Sequence, residues 1–298
     1  MIAVAGATGY IGGLLARQLR KDGQEVRALA RHPERAGKLR EAGCEVAGAD
    51  VLEPETLGPA LEGAEVAYYL VHSMGRGSDG DFAERDEQAA ANFAAAAAGA
   101  GVKRIVYLGG LGEGSKHLDS RHATAEALRE GEVPVAYFRA AAVIGAGSES
   151  FRTVFYLVRR LPVMVTPRWA KTRTQPIAIA DAVAFLAAAA DLARPLDREV
   201  QIGGPDITTY GGMIDELAHV LGRRSPLRIT VPVLTPALSS LWIGLVTPVD
   251  AGVARPLIEG LATETVVTDP AGMALLPEVG GVPLRQALRD AAAGLEGN

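Results

Sequence analysis

Short apolar runs alternate with stretches of helical periodicity through the first half of the chain. Ile2–Ala5 is an apolar run that predicts a strand, and Ile11–Lys21 carries apolar residues three and four apart before ending at Asp22-Gly23, which predicts a helix. The alternation continues with a strand over Glu25–Ala30, a helix over Pro33–Ala42 opened by its proline, a strand over Cys44–Ala47 and a short helix over Pro54–Leu61. A strongly apolar strand over Ala64–Val71, a long helix over Asp81–Ala98, a fifth strand over Lys103–Leu108, a helix over Ala123–Arg129 and a sixth strand over Val133–Phe138 follow. Strands joined by helices of this length imply right-handed crossovers and a parallel sheet covered on both faces. The predicted fold class is therefore α/β, a Rossmann-type doubly wound parallel sheet, whose ligands bind at the carboxyl ends of the strands. Ala89–Ala91 and Ala94–Ala98 give the long helix high propensity and let it lie close to a neighbour; a dimer-forming helix is one version of that role.

Composition removes several classes. The 298 residues are 48% hydrophobic and 22% charged, a globular balance, and the net charge of −5 comes without a long basic run, so nucleic acid is not expected as the main partner. The single cysteine, Cys44, forms neither an internal disulfide nor a thiolate zinc site, which predicts the cytoplasm, and the five histidines show no metal-ligand spacing. Met1 leads directly into a strand-like run, so no signal peptide is expected. Val231–Val249 is apolar but broken by Pro232, Pro236 and Pro248. That pattern predicts core or pocket wall in preference to membrane association, and no stable span.

The strongest local signal is Gly6-Ala7-Thr8-Gly9-Tyr10-Ile11-Gly12, between the first strand and the first helix. Gly6 permits a sharp turn, Gly9 lacks the Cβ that would keep a pyrophosphate away, and Gly12 lets the helix pack on the strand. Free N–H groups of the first helical turn then face phosphate. Gly6, Thr8, Gly9, Tyr10, Ile11 and Gly12 are accordingly candidate dinucleotide contacts. The second strand ends in Ala30-Arg31-His32-Pro33-Glu34-Arg35, with no acid at its tip to favour NAD(H). Arg31 and Arg35 suit a 2′-phosphate clamp, so NADP(H) is expected over NAD(H), although a solvated basic helix start gives the same sequence. Asp50 and Val51 follow the third strand, placed to flank adenine; Asp50 as a helix cap is an equal reading.

These residues resemble the atypical short-chain dehydrogenase/reductases, the group that includes NmrA-like proteins. Tyr69-Leu70-Val71-His72-Ser73-Met74-Gly75, Arg139 through Gly145-Ala146-Gly147-Ser148, Pro167-Arg168-Trp169 and Arg173-Thr174-Gln175-Pro176-Ile177 are similar to its YbjT-type bacterial branch. The resemblance spans nearly the whole chain. It implies a Rossmann domain over residues 1–145, NAD(P) binding, and a small C-terminal α/β lobe over residues 146–298 that forms the substrate pocket. A segment at about residues 172–205 is expected to return to the main sheet, as the family's does. The chain departs from the usual Ser-Tyr-Lys set. Gly109-Gly110-Leu111-Gly112 stands where the Ser is expected, Leu118 where the Tyr belongs and His122 where the Lys belongs.

Substitutes are few. Val71 and His72, at the end of the fourth strand, are placed near the nicotinamide; His72 is the candidate proton donor, or else a histidine that only bonds cofactor or backbone. Gly109 and His122 are candidate cofactor contacts, and a solvated helix His is the alternative for His122. Tyr107 and Tyr137 read as core phenols. Arg139–Ser148 is expected to leave the sixth strand as a Gly-rich loop, with Ser148, Phe151 and Trp169 as pocket candidates. Phe151, Phe155 and Tyr156 share a helix face, for which core packing is the plainer reading. Trp169 is expected in a loop, and Asp181 as the cap of a helix to Ala190. The sequence thus predicts an NADPH-dependent reductase of an apolar small molecule, monomeric or homodimeric. A non-catalytic NADP(H) sensor or scaffold is the alternative, and a sugar-nucleotide epimerase is disfavoured because it too needs the Tyr and Lys.

Overall fold

The computed structural model describes residues 1–72, 82–166, 168–230 and 263–296. The Ser73-Met74 part of the family-like motif, Pro167, the predicted helix start at Asp81 and the apolar stretch Val231–Val249 lie outside them.

Seven parallel strands form the central sheet. They are β1 (Ile2–Ala5), β2 (Val26–Ala30), β3 (Glu45–Gly48), β4 (Val66–Tyr69), β5 (Arg104–Gly110), β6 (Val135–Ala140) and β11 (Glu199–Ile202), in the order β11-β6-β5-β4-β1-β2-β3. The order reverses between β1 and β4, so the crevice of a doubly wound sheet opens there. Side chains alternate across the sheet. Val4, Tyr68, Val106 and Phe138 face a core shared with α1 (Tyr10–Lys21) and α7 (Ile179–Ala188). Ala5, Tyr69, Tyr107 and Tyr137 face one shared with α3 (Pro54–Leu61), α4 (Phe82–Gly99) and α5 (Lys116–Arg129). Tyr107 and Tyr137 are core phenols, stacked at 5.3 Å.

A third core belongs to the C-terminal lobe. It is built by α6 (Glu149–Arg160), α8 (Tyr210–Val220) and α9 (Leu284–Glu296). Three two-stranded pairings accompany it: β7 (Val143–Ile144) with β10 (Ile177–Ala178), β9 (Arg173–Thr174) with β12 (Thr208–Thr209), and β8 (Val163–Thr166) with β13 (Leu227–Thr230).

Several local expectations are corrected. The helix expected over Pro33–Ala42 is a 3-10 turn, Pro33–Arg35, followed by the short α2 (Gly37–Glu41). The bonds from Arg35 N–H to His32 O and from Ala36 N–H to Pro33 O are three-residue closures, and glycine is a poor residue with which to resume a helix. Helix α5 starts at Lys116, two turns before Ala123, because the Ser115 hydroxyl caps it by accepting from Leu118 N–H at 3.3 Å. Strand β5 runs on through Gly109 and Gly110, which pair with Arg139 and Ala140 of β6. Gly109 is therefore a strand residue, and Arg139 lies within β6 instead of leaving it. Asp181 does not cap α7: Ala178 holds that position, and the buried Asp181 carboxylate accepts from Val282 N–H at 3.0 Å, tying α7 to the segment before α9. Trp169 lies in a 3-10 turn, Arg168–Lys171, instead of an open loop.

Candidate cofactor crevice

The glycine loop sits at the switch point. Gly6 has φ of +81°, and a Cβ there would lie 2.4 Å from Leu70 O, so the loop lies directly against the end of β4. At Gly12 a Cβ would lie 2.3 Å from Gly6 O, which is why the first turn of α1 can seat on the loop. At Gly9, the N-cap, a Cβ would meet only Gly6 O at 3.2 Å. Its outer side is open, and no side chain caps the first-turn N–H groups of α1. Exposed Thr8 and Gly9, a free helix start and a glycine cradle fit a pyrophosphate.

The flanking candidates divide. Arg31 is exposed just past β2, and Arg35, 76% exposed, ends the 3-10 turn with Glu34 3.9 Å away. Both guanidiniums are available to a phosphate. Asp50 uses its carboxylate to accept from Leu52 N–H at 3.0 Å, a turn closure that leaves α3 without a side-chain cap. Val51 packs partly against the core, and its carbonyl accepts from the Asn92 amide at 3.0 Å. Tyr10 spans to the lobe: a Cβ at Gly145 would lie 2.4 Å from its hydroxyl, and one at Gly147 would lie 2.3 Å from its ring. The loop after β7 thus closes over the start of α1, a contact that no local sequence signal announced.

At the end of β4, Val71 is half-buried and His72 faces α4 and α5. His72 Nδ1 is 3.9 Å from the Asp86 carboxylate, beyond hydrogen-bond range, and its ring is 5.1 Å from that of His117. His72 Nε2 is buried with no hydrogen-bond partner among the described residues. Burial, with the Arg121 guanidinium and His117 nearby, holds the His72 imidazole well below its usual range. Burial and Arg121 push His117 down to about 4. Both rings are neutral at pH 7. His72, the candidate proton donor, is thus a neutral ring with an orphaned nitrogen, an arrangement suited to hydrogen bonding.

His122 is tied into protein. Arg139 Nη2 lies 2.9 Å from its Nε2. A guanidinium only donates, so Nε2 accepts and the ring proton sits on Nδ1, directed at the Tyr137 oxygen 3.3 Å away. The same Arg139 donates to Gly110 O, Gly112 O and Glu199 Oε1. His122 is thus half-buried with protein partners at both ring nitrogens, and it stiffens the turn after β5. Tyr137 also covers Gly109, where a Cβ would lie 2.7 Å from its ring. Burial raises the Tyr137 phenol well above its usual range, so it holds its proton. Of the pocket candidates, Ser148 is half-buried and its hydroxyl caps α6, accepting from Phe151 N–H, while Phe151 packs in the lobe core against Phe155. Among the described residues there is no cluster of His, Cys, Asp and Glu able to hold a metal, and no helix is long and apolar enough to cross a membrane.

A family profile described as NAD(P)H-binding matches residues 6–149. The chain is 30% identical over 256 residues to ceramide reductase of Caulobacter vibrioides, covering 82% of this chain and 79% of that protein. A shorter match, 32% identical over 107 residues, relates 36% of the chain to 32% of the photosystem II assembly factor Ycf39 of Synechocystis. Among solved structures, Citrobacter triphenylmethane reductase complexed with NADP(H) superimposes with a TM-score of 0.73 at 22% identity, covering 98% of this chain and 100% of that one.

Proposed function

This chain belongs to the NmrA-like atypical short-chain dehydrogenase/reductases, an NAD(P)H-binding family, and on that footing we propose that it uses NADPH to reduce an apolar small molecule. The observation that carries the cofactor choice is the pair of exposed arginines, Arg31 and Arg35, beyond a second strand that ends without an acid. The glycine loop and the first turn of α1 hold the pyrophosphate, and His72 Nε2 gives the nicotinamide end a hydrogen-bond partner. When bound, the cofactor supplies a hydride. The proton that completes reduction comes from water or the substrate, because Tyr107 and Tyr137 are sealed in the core and His72 is neutral. A reductase among the relatives supports the reaction class.

The test is a pair of affinities. Arg31→Ala with Arg35→Ala lowers affinity for NADPH and leaves that for NADH unchanged. An unaltered NADPH/NADH affinity ratio would refute the clamp. The absent Ser-Tyr-Lys set and the match to an assembly factor favour a second reading, a non-catalytic NADP(H) sensor or scaffold. Single-turnover decay of bound NADPH with a panel of ketones and enones separates the two. Decay supports the reductase; tight binding without decay, together with a protein partner whose affinity follows redox state, supports the scaffold.

A further inference from the structure

The C-terminal lobe carries a surface that cofactor binding does not use. Strand β13 pairs in parallel with β8, Leu227 opposite Val163 and Ile229 opposite Val165. Successive side chains on a strand point to opposite faces. Arg228 points inward, donating to Gly211 O and to Asp215 at 2.6 Å each. Leu227 and Ile229 point the other way, 64% and 50% exposed, beside Val163 at 44%. Three of the six large hydrophobic side chains exposed among the described residues thus sit on one two-stranded ribbon. A lone exposed leucine needs no explanation; a cluster does.

The ribbon has a cationic rim. Exposed Arg159 and Arg160 end α6, and exposed Arg223 and Arg224 follow α8. The Arg223 guanidinium donates to Arg159 O, which brings the two pairs side by side. Residues 150–180 contain six Lys and Arg and no Asp or Glu, and residues 217–230 contain three and none, in a chain whose net charge is −5. Among the described residues, Glu149 of α6 itself pairs with Arg152 and Glu264 with Arg173 at 2.9 Å each, Glu296 lies 3.8 Å from Arg159, and Asp215 pairs with Arg228.

We propose that this face docks on an anionic lipid bilayer, with Leu227, Ile229 and Val163 in the headgroup boundary and the arginines against lipid phosphates. Arginine stems lie along apolar surface while their heads reach phosphate, so the rim and the ribbon act on the same plane. A second copy fits this face poorly, because two-fold pairing would set cations against cations. The docking is independent of the cofactor reading.

Co-sedimentation of the full chain, without NADPH, with vesicles of phosphatidylcholine alone or mixed with phosphatidylglycerol tests it. The protein sediments with the mixed vesicles, and added salt weakens the binding. Leu227→Ser with Ile229→Ser, and separately Arg223→Ser with Arg224→Ser, each cut binding about tenfold or more, while melting temperature and NADPH affinity stay those of the parent. Should the apolar pair disturb folding, the exposed arginine pair carries the test. Failure to bind mixed vesicles, equal binding to pure phosphatidylcholine, or binding indifferent to both pairs would overturn the proposal. So would a dimer in light scattering that the Leu227 and Ile229 changes dissolve. NADPH affinity, measured apart, reports on the cofactor reading alone.

Discussion

Lowering the pH tests the buried histidine pair, and the size of the effect follows from its surroundings. His117 lies in the first turn of α5, where burial and then Arg121 push its imidazole from 6.5 down to about 4. The unfolded chain takes up this proton near pH 6.5, the folded one near 4, so between those values the unfolded state binds more protons. Stability from the neutral ring is present in full above about pH 6.5 and is lost as the pH falls towards 4. The loss is about 2 kcal/mol at pH 5 and about 3 kcal/mol at pH 4. His72, also held well below its usual range, steepens the same slope. His117→Gln removes one titrating ring. Denaturant unfolding at about pH 7.5 and about pH 5 then gives a stability difference smaller than the parent's by about 2 kcal/mol. Equal losses in parent and variant would show that His117 is not held neutral by burial, and the case against an imidazolium at the neighbouring His72 would fall with it.

Three further outcomes are expected. Arg104, 2% exposed, opens β5 and donates to Asp197 and to the carbonyls of Ala189, Asp191 and Arg194. Arg104→Ala costs about 3 kcal/mol or more in urea unfolding, and NADPH affinity holds because the site lies at the opposite end of the strand from the crevice. Gly12→Ala sets a methyl against the Gly6 carbonyl, lowering stability by about 1–3 kcal/mol in thermal melts and weakening NADPH in titration calorimetry. Tyr137→Phe removes the bond to His122, costs about 1 kcal/mol, and leaves NADPH oxidation within about twofold of the parent; a larger loss of activity would make that phenol part of the chemistry.

What the sequence disclosed was what local pattern encodes. The strands of the Rossmann half announce themselves by apolar runs, and the glycine loop by spacing within ten residues, because each is fixed by its own neighbours. The early start of α5 was hidden because residues 116–122 are mostly polar and the deciding bond is a single serine cap. The cage around His122 was hidden because it depends on register: Gly109 opposite Arg139, and Tyr107 opposite Tyr137, are facts of strand pairing. The same register explains the missing catalytic set. A Cβ at Gly110 would lie 2.4 Å from a methyl of Leu118, and Leu118 is buried. Leu118 is the residue found where the family's Tyr belongs, and Gly110 lies in the stretch where its Ser belongs. The two are packed against each other, and His122, in the Lys position, is bound to Arg139 and Tyr137. The three departures are therefore one arrangement. Restoring a hydroxyl at Gly110 alone would drive its Cβ into Leu118, and restoring an ammonium at His122 alone would set a cation against Arg139. Single reversions are thus expected to destabilise the turn after β5 without returning proton transfer, which is why the proton source is sought in water and substrate.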